Sequence, residues 1–199
     1  MSTKRNRVEV AAFQTSKKGN YYCGDSYFYT ETEKEFICAV ADGLGNGEFA
    51  RESSKAVIDV IKDNIHASIE EIIRHCNKEL TGKRGVVLGI LKFDFNLKRY
   101  SFSSIGNIGV ITVTNDGKKK RNIPNAGYLA GYHRKFAVET GKLDDILNFF
   151  MYSDGVSDRE LSERYFLNED VNQIIDTYKY KSGQYKDDDT TLIAMRYTS

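Results

Sequence analysis

The chain has no tryptophan, a single proline, three cysteines, three histidines and almost no net charge. Each shortage excludes something. Cys23, Cys38 and Cys76 are widely spaced and form no CxxC, so neither a disulfide framework nor a zinc site is implied. A reducing cytoplasm is the expected location. A formal charge of +1 supplies no broad basic face for nucleic acid or an anionic membrane, and neither is expected as a partner. No apolar run approaches the roughly 20 residues of a membrane helix. The basic start, Met1 to Arg7, runs into Glu9 rather than into the apolar core of a signal peptide. His66, His75 and His133 have no serine or cysteine partner in a motif and read as surface or helix-face residues. No P-loop, EF-hand loop or HExxH occurs. One domain over residues 1–199, acting as a monomer, is the simplest expectation for a chain of this length and ordinary hydrophobic content.

What is present begins with Phe36-Ile37-Cys38-Ala39-Val40-Ala41-Asp42, an apolar run ending in an acid. Glycines follow at 43, 45 and 47, and then an amphipathic pattern. Ala50, Ser54, Val57, Ile61 and Ile65 fall on one face of a helix, with charged residues on the other. Ser68-x-x-Glu71 is a capping box for a second helix bearing Ile69, Ile72, Ile73, Cys76 and Leu80.

The period then changes to strand over 86–95, 99–105 and 108–114, and Asn115-Asp116-Gly117-Lys118 signals a two-residue hairpin into a strand over 118–123. The basic run 118–121 reads as a solvated edge strand. A strand is expected near 136–139. Leu147 to Ser153 is another buried strand, ending in Asp154-Gly155. Ser157-x-x-Glu160 caps a short helix, Asn168 caps another, and a last strand runs from Thr190 to Tyr197. With Val8–Phe13 and the aromatic run Tyr27–Tyr29 also extended, strands follow one another rather than alternating with helices. That order favours an α+β architecture of antiparallel sheets covered by helix pairs.

Asp-Gly occurs three times, which provides an internal control. Asp116-Gly117 lies among polar residues and reads as a turn. Asp42 and Asp154 instead end strongly apolar strands, where an acid is costly unless a cation, a basic side chain or water meets it. A turn alone would account for either one singly, less readily for both. Asp25 and Asp188 also stand beside strands. Carboxylates gathered from separate strand ends suit hard, oxygen-preferring ions such as Mg²⁺ or Mn²⁺; without cations they would raise one another's pKa. The rival reading of Gly43-x-Gly45 as a dinucleotide loop fails at Glu48, where a third glycine belongs, and at Asp42, which would repel a pyrophosphate.

Five segments together resemble the metal-dependent (type 2C) serine/threonine protein phosphatases. They are Gly24-Asp25-Ser26, Ala39 to Gly47, Ser104-Ile105-Gly106-Asn107, Tyr152 to Asp158, and Asp188-Asp189-Thr190-Thr191-Leu192, in the family's order across nearly the whole chain. The resemblance implies a four-layer α/β/β/α sandwich with two Mn²⁺ or Mg²⁺ ions at one sheet edge. Asp42 would bridge the ions and the Gly43 carbonyl would bind one. Asp154 and Asp188 would hold the other, with Asp25 supporting directly or through water. Asp189, Thr191, Gly106 and Asn107 would orient rather than ligate. The reaction implied is hydrolysis of phosphoserine or phosphothreonine on a protein by a metal-activated water.

Small size, the lack of a sensor domain, and Lys83-Arg84-Gly85 with Ile105-Gly106-Asn107 look most like the branch that serves the bacterial stressosome. Phosphorylated scaffold and co-antagonist proteins are then the implied substrates, in a negative feedback on the general stress sigma factor. Relatives often carry a histidine in the glycine loop, where this chain has Leu44 and Asn46, and the larger eukaryotic enzymes hold phosphate with an arginine before the first acid, where only Lys17 and Lys18 are near. Two further readings are a non-catalytic phosphoprotein-binding module of the same fold and another two-metal phosphoesterase such as a nuclease.

Overall fold

The computed structural model describes residues 6–45, 47–183 and 186–198; Asn46 of the glycine loop lies outside them. Two five-stranded antiparallel sheets face each other. The first runs β1 (Val8–Thr15), β10 (Thr190–Tyr197), β9 (Ile146–Tyr152), β6 (Gly109–Thr114), β7 (Lys119–Arg121). The second runs β2 (Asp25–Glu31), β3 (Glu35–Gly43), β4 (Val86–Asp94), β5 (Arg99–Ile105), β8 (Glu139–Lys142).

Strand alternation sorts β3 between two apolar cores. Phe36, Cys38 and Val40 point between the sheets and meet Phe93 of β4, Phe149 and Met151 of β9, and Ile193 and Met195 of β10. Ile37, Ala39 and Ala41 point the other way, under α1 (Glu48–Asp63) and α2 (Ile69–Glu79). On the far side of the first sheet, Phe150, Tyr152, Leu192 and Ala194 pack on α3 (Asp158–Leu161) and α4 (Val171–Lys181), through Leu161, Ile174, Ile175 and Tyr178. The layers are therefore helices, sheet, sheet, helices, as expected. Both capping boxes form: Ser68 with Glu71 and Ser157 with Glu160 each exchange side-chain and backbone bonds.

Several local expectations need correction. The 115–118 hairpin has a three-residue loop: Thr114 N–H reaches the Lys118 carbonyl, Gly117 N–H closes the turn on Thr114, and Gly117 takes φ +79°. A turn followed by a left-handed glycine fits the strand twist as a three-residue loop does. β7 is only three residues long, and the basic run is less solvated than expected, because Lys119 donates to the Leu161 and Glu163 carbonyls. The strand sought near 136–139 lies at Glu139–Lys142, since Ala137 N–H is taken by the Asn125 side chain instead of a ladder partner. The α4 cap is Asp170, whose carboxylate accepts from the Asn172 and Gln173 N–H groups; Asn168 instead accepts from Asp170 N–H, one step earlier. Ile65 falls beyond α1.

Candidate functional site

The period of two that buries Val40 between the sheets carries one step further to Asp42. Asp25 is its cross-strand partner on β2, so the two carboxylates share the inward face. On the first sheet the same continuation runs from Ile193 back to Thr191 and from Met151 forward to Ser153. The inward rows of both sheets thus run out of hydrophobic residues at one end and become polar there. That end is the candidate site.

Hydrogen bonds join the sheets across it. Thr191 Oγ1 donates to Asp25 Oδ2 at 2.7 Å, and Thr191 N–H donates to Ser153 Oγ at 2.9 Å. Gln14 Nε2 donates to Thr191 Oγ1 and to the Asp25 carbonyl. Asp189 spends both oxygens on backbone: Lys17 N–H at 2.8 Å and Gly24 N–H at 2.8 Å. It thereby fixes the entry to β2 beside Asp25.

Asp154, at the open rim after β9, accepts from Asn107 Nδ2 at 2.6 Å. Asn107 sits in the turn from β5 to β6, where Gly106 takes φ +88°, and the added Cβ of any other residue would strike Val87. Asp188 is exposed, and its Oδ1 accepts from Asp189 N–H. Lys186, immediately before this acidic loop, is buried and pairs with Glu160 at 2.5 Å, while Glu160 also caps α3 behind Asp154.

The electrostatics are those of unneutralised acids. Burial pushes Asp42 up to about 8, and the charges of Asp25, Asp154, Asp188 and Asp189 push the same way. Asp25 is raised to about 6, mainly by burial and against the bonds from Ser153 and Thr191. Asp154 is also raised, by desolvation first and then by Asp188. None of the ion pairs among the described residues includes any of these five acids. Asp25 Oδ1 is buried with no hydrogen-bond partner among the described residues. The donor set, all carboxylate with a carbonyl at Gly43 beside it, suits a hard divalent ion. Among the described residues no three such side chains form a ready-made coordination shell, so bound ions would have to draw the acids inward.

Of the residues singled out in the sequence, Asp25, Asp42, Asp154, Asp188, Asp189, Thr191, Gly106 and Asn107 meet at this end. His66 and His75 do not: they contact Glu35 and Asn64 on the α1–α2 side. Ser153 and Gln14 were missed. Ser153 was recoverable, since it shares the parity of Met151; Gln14 gives no local signal.

Two facing antiparallel sheets, helix pairs outside them and an acidic end between them define the PP2C-like class of fold. The family model for Stage II sporulation protein E (SpoIIE) matches residues 32–198, and the chain belongs to that family. It is 32% identical over 190 residues to phosphoserine phosphatase RsbX of Bacillus subtilis (strain 168), covering 96% of each chain. Its structure superimposes on RsbX in complex with magnesium with TM-score 0.88 at 30% identity, over 98% of both chains. The PP2C phosphatase domain of SpoIIE from Bacillus subtilis matches with TM-score 0.77 at 20% identity, over 96% of this chain and 62% of that one, and shows the shared fold.

Proposed function

We propose that this chain removes phosphate from phosphoserine or phosphothreonine on stressosome-type phosphoproteins, using divalent cations held at the acidic end of the sandwich, and so damps a stress-signalling pathway. The chain is a protein serine/threonine phosphatase by class, on its likeness to RsbX over 96% of its length. The observation that supports the metal dependence is the meeting of Asp25, Asp42, Asp154 and Asp188, with Asp25 Oδ1 unpartnered among the described residues.

Asp42, Asp154, Asp188 and the Gly43 carbonyl would hold two Mn²⁺ or Mg²⁺ ions, with Asp25 in support. Such ions supply an activated water and positive charge for the phosphoryl oxygens. The chain's own residues hold the geometry. Thr191 pins one oxygen of Asp25, and the other is buried with no hydrogen-bond partner among the described residues. Asn107 orients Asp154 from a turn with one permitted backbone shape. Asp189 clamps the two segments that flank Asp25 and Lys17. Thr191→Val would free the second oxygen of Asp25 from its donor; an apparent Mn²⁺ affinity roughly tenfold weaker, with folding intact, is expected by titration calorimetry.

Phosphate release from a phosphoserine protein should require Mn²⁺ or Mg²⁺ and stop on chelation. Release that continues unchanged in excess chelator would refute the metal-dependent reading. The alternative is a phosphoprotein-binding module of the same fold without turnover. Binding with no release at any metal concentration would establish that alternative instead.

A further inference from the structure

We propose that a belt of arginine–aromatic pairs beside the acidic end is the surface on which the protein segment around the phosphorylated residue docks, and that it favours acidic flanking sequence. This rests on the phosphatase reading for the identity of the occupant, and on independent residues for the surface.

The belt has two parts, one on either flank of the start of α1. Tyr21 and Tyr22 pack edge to face with centroids 4.9 Å apart, three residues before Asp25, and the Arg51 guanidinium lies 5.0 Å over the Tyr22 ring. Two residues before Arg51, on the other flank of α1, Phe49 carries the Arg84 guanidinium 5.4 Å over its ring. Arg84 Nη1 also reaches the Leu44 carbonyl, two residues after Asp42. Gly85 packs closely against the side chains of Leu44 and Tyr128, which a Cβ there would meet at 2.7 and 2.5 Å. Tyr128 in turn has the Arg134 guanidinium 5.8 Å above it. Arg134 packs on Gly127, whose carbonyl adjoins Gly106, next to Asn107 and Asp154. The belt thus begins beside Asp25 and ends beside Asp154.

Its aromatic rings face solvent. Tyr21 is 90% exposed, Phe49 63% and Tyr128 46%. Tyr29, Tyr132 and Tyr180 are exposed as well, but among the described residues none of them carries an arginine beside the acidic end. Exposed Tyr, Phe and Arg held rigidly against one another are the side chains that dominate protein interfaces, because they offer large area at small entropic cost. Glu48 and Glu52 share the α1 turn, so the belt's charge is modest and its specificity comes from oriented guanidinium groups. These bind carboxylates in a fixed, often bidentate geometry. A peptide bearing one phosphate and neighbouring carboxylates matches both parts, with phosphate towards the metal end and carboxylates on the arginines. A nucleic acid would set a row of phosphates against the acids, on a chain of net charge +1.

The test uses a fluorescent peptide with one phosphoserine flanked by aspartates, its lysine-flanked counterpart, and a labelled single-stranded oligonucleotide. Anisotropy is measured in chelator, so that binding is read without turnover. The expected result is at least tenfold tighter binding of the aspartate-flanked peptide. That advantage should fall at least tenfold in Arg51→Ala/Arg84→Ala, and separately in Phe49→Ser should that pair fail to fold. Equal binding of the two peptides, an unchanged advantage in the folded variants, or oligonucleotide binding as tight as peptide binding would each overturn the proposal. Phosphate release with Mn²⁺ from the same peptides separates the two readings. Selective binding without release rejects the phosphatase and keeps the belt; release with no flank preference keeps the phosphatase and rejects the belt.

Discussion

Asp42→Asn is expected to abolish metal-dependent turnover, with kcat down by about 10³-fold or more, while making the metal-free protein more stable. Both effects have one cause. Burial and four neighbouring acids hold Asp42 up at about 8, so the folded state takes up a proton that the unfolded chain, with its ordinary carboxylate, releases near pH 4. Between those limits the native state binds more protons than the unfolded state, and stability of the metal-free protein must fall as pH rises. Asp25, raised to about 6, adds to the fall in the lower part of the window. Above pH 8 the loss is complete. Asparagine keeps the shape and removes the charge, which should recover about 1–2 kcal/mol at pH 8 and flatten the pH profile. The check is thermal unfolding in chelator from pH 5 to pH 9, beside Mn²⁺-dependent phosphate release. A variant that turns over normally, or a wild-type protein that gains stability with rising pH, would contradict the assignment of Asp42.

Gly43→Ala is expected to cost stability, about 3 kcal/mol, and activity with it. An added Cβ would collide with the Ala50 carbonyl group and come to 2.8 Å from Ala50 Cα, all of it backbone at the start of α1. Nothing there is a flexible side chain able to swing aside. α1 would be pushed off β3, and with it the loop that carries the Gly43 carbonyl and the surface at Phe49. The urea midpoint should fall while the denaturant slope is preserved. Gly47→Ala is the control: among the described residues no atom beyond its chain neighbours lies within 4 Å of its added Cβ, and its φ of +69° opposes the change.

Much of this was open to inspection in the chain itself. The four layers follow from the order of strand-like and helix-like runs, and both capping boxes were plain from Ser-x-x-Glu spacing. Asp42 and Asp154 stood out because each follows an apolar strand, where Asp116 does not. Less visible were features set by contacts remote in sequence. Asn168 looked like the α4 cap, yet the chain's path past β9 leaves Asp170 facing the free N–H groups and Asn148 donating to the Asn168 carbonyl. Gly43 stands out in the sequence only for its carbonyl; its closest constraint is the backbone of α1. The pairing of Asp189 with Gly24 and Lys17 spans more than 160 residues, and no local pattern encodes it. The arginine–aromatic belt was equally hidden, since its members are scattered from Tyr21 to Arg134 and meet only in the fold.

Asp42 is the next inward position after Val40 on a strand whose alternate residues face opposite ways. Its placement is therefore a matter of counting as much as of chemistry. Deleting one residue between Phe36 and Asp42 would turn the carboxylate toward the α1–α2 layer and bring Gly43 to its place at the sheet-to-sheet mouth, although every residue type at the site would survive. The same holds for Thr191 after the inward row of β10 and Ser153 at the end of β9. Three strands from distant parts of the chain must keep the same phase for the acids to meet, so the sandwich tolerates exchange of one hydrophobic side chain for another far better than any change in strand length.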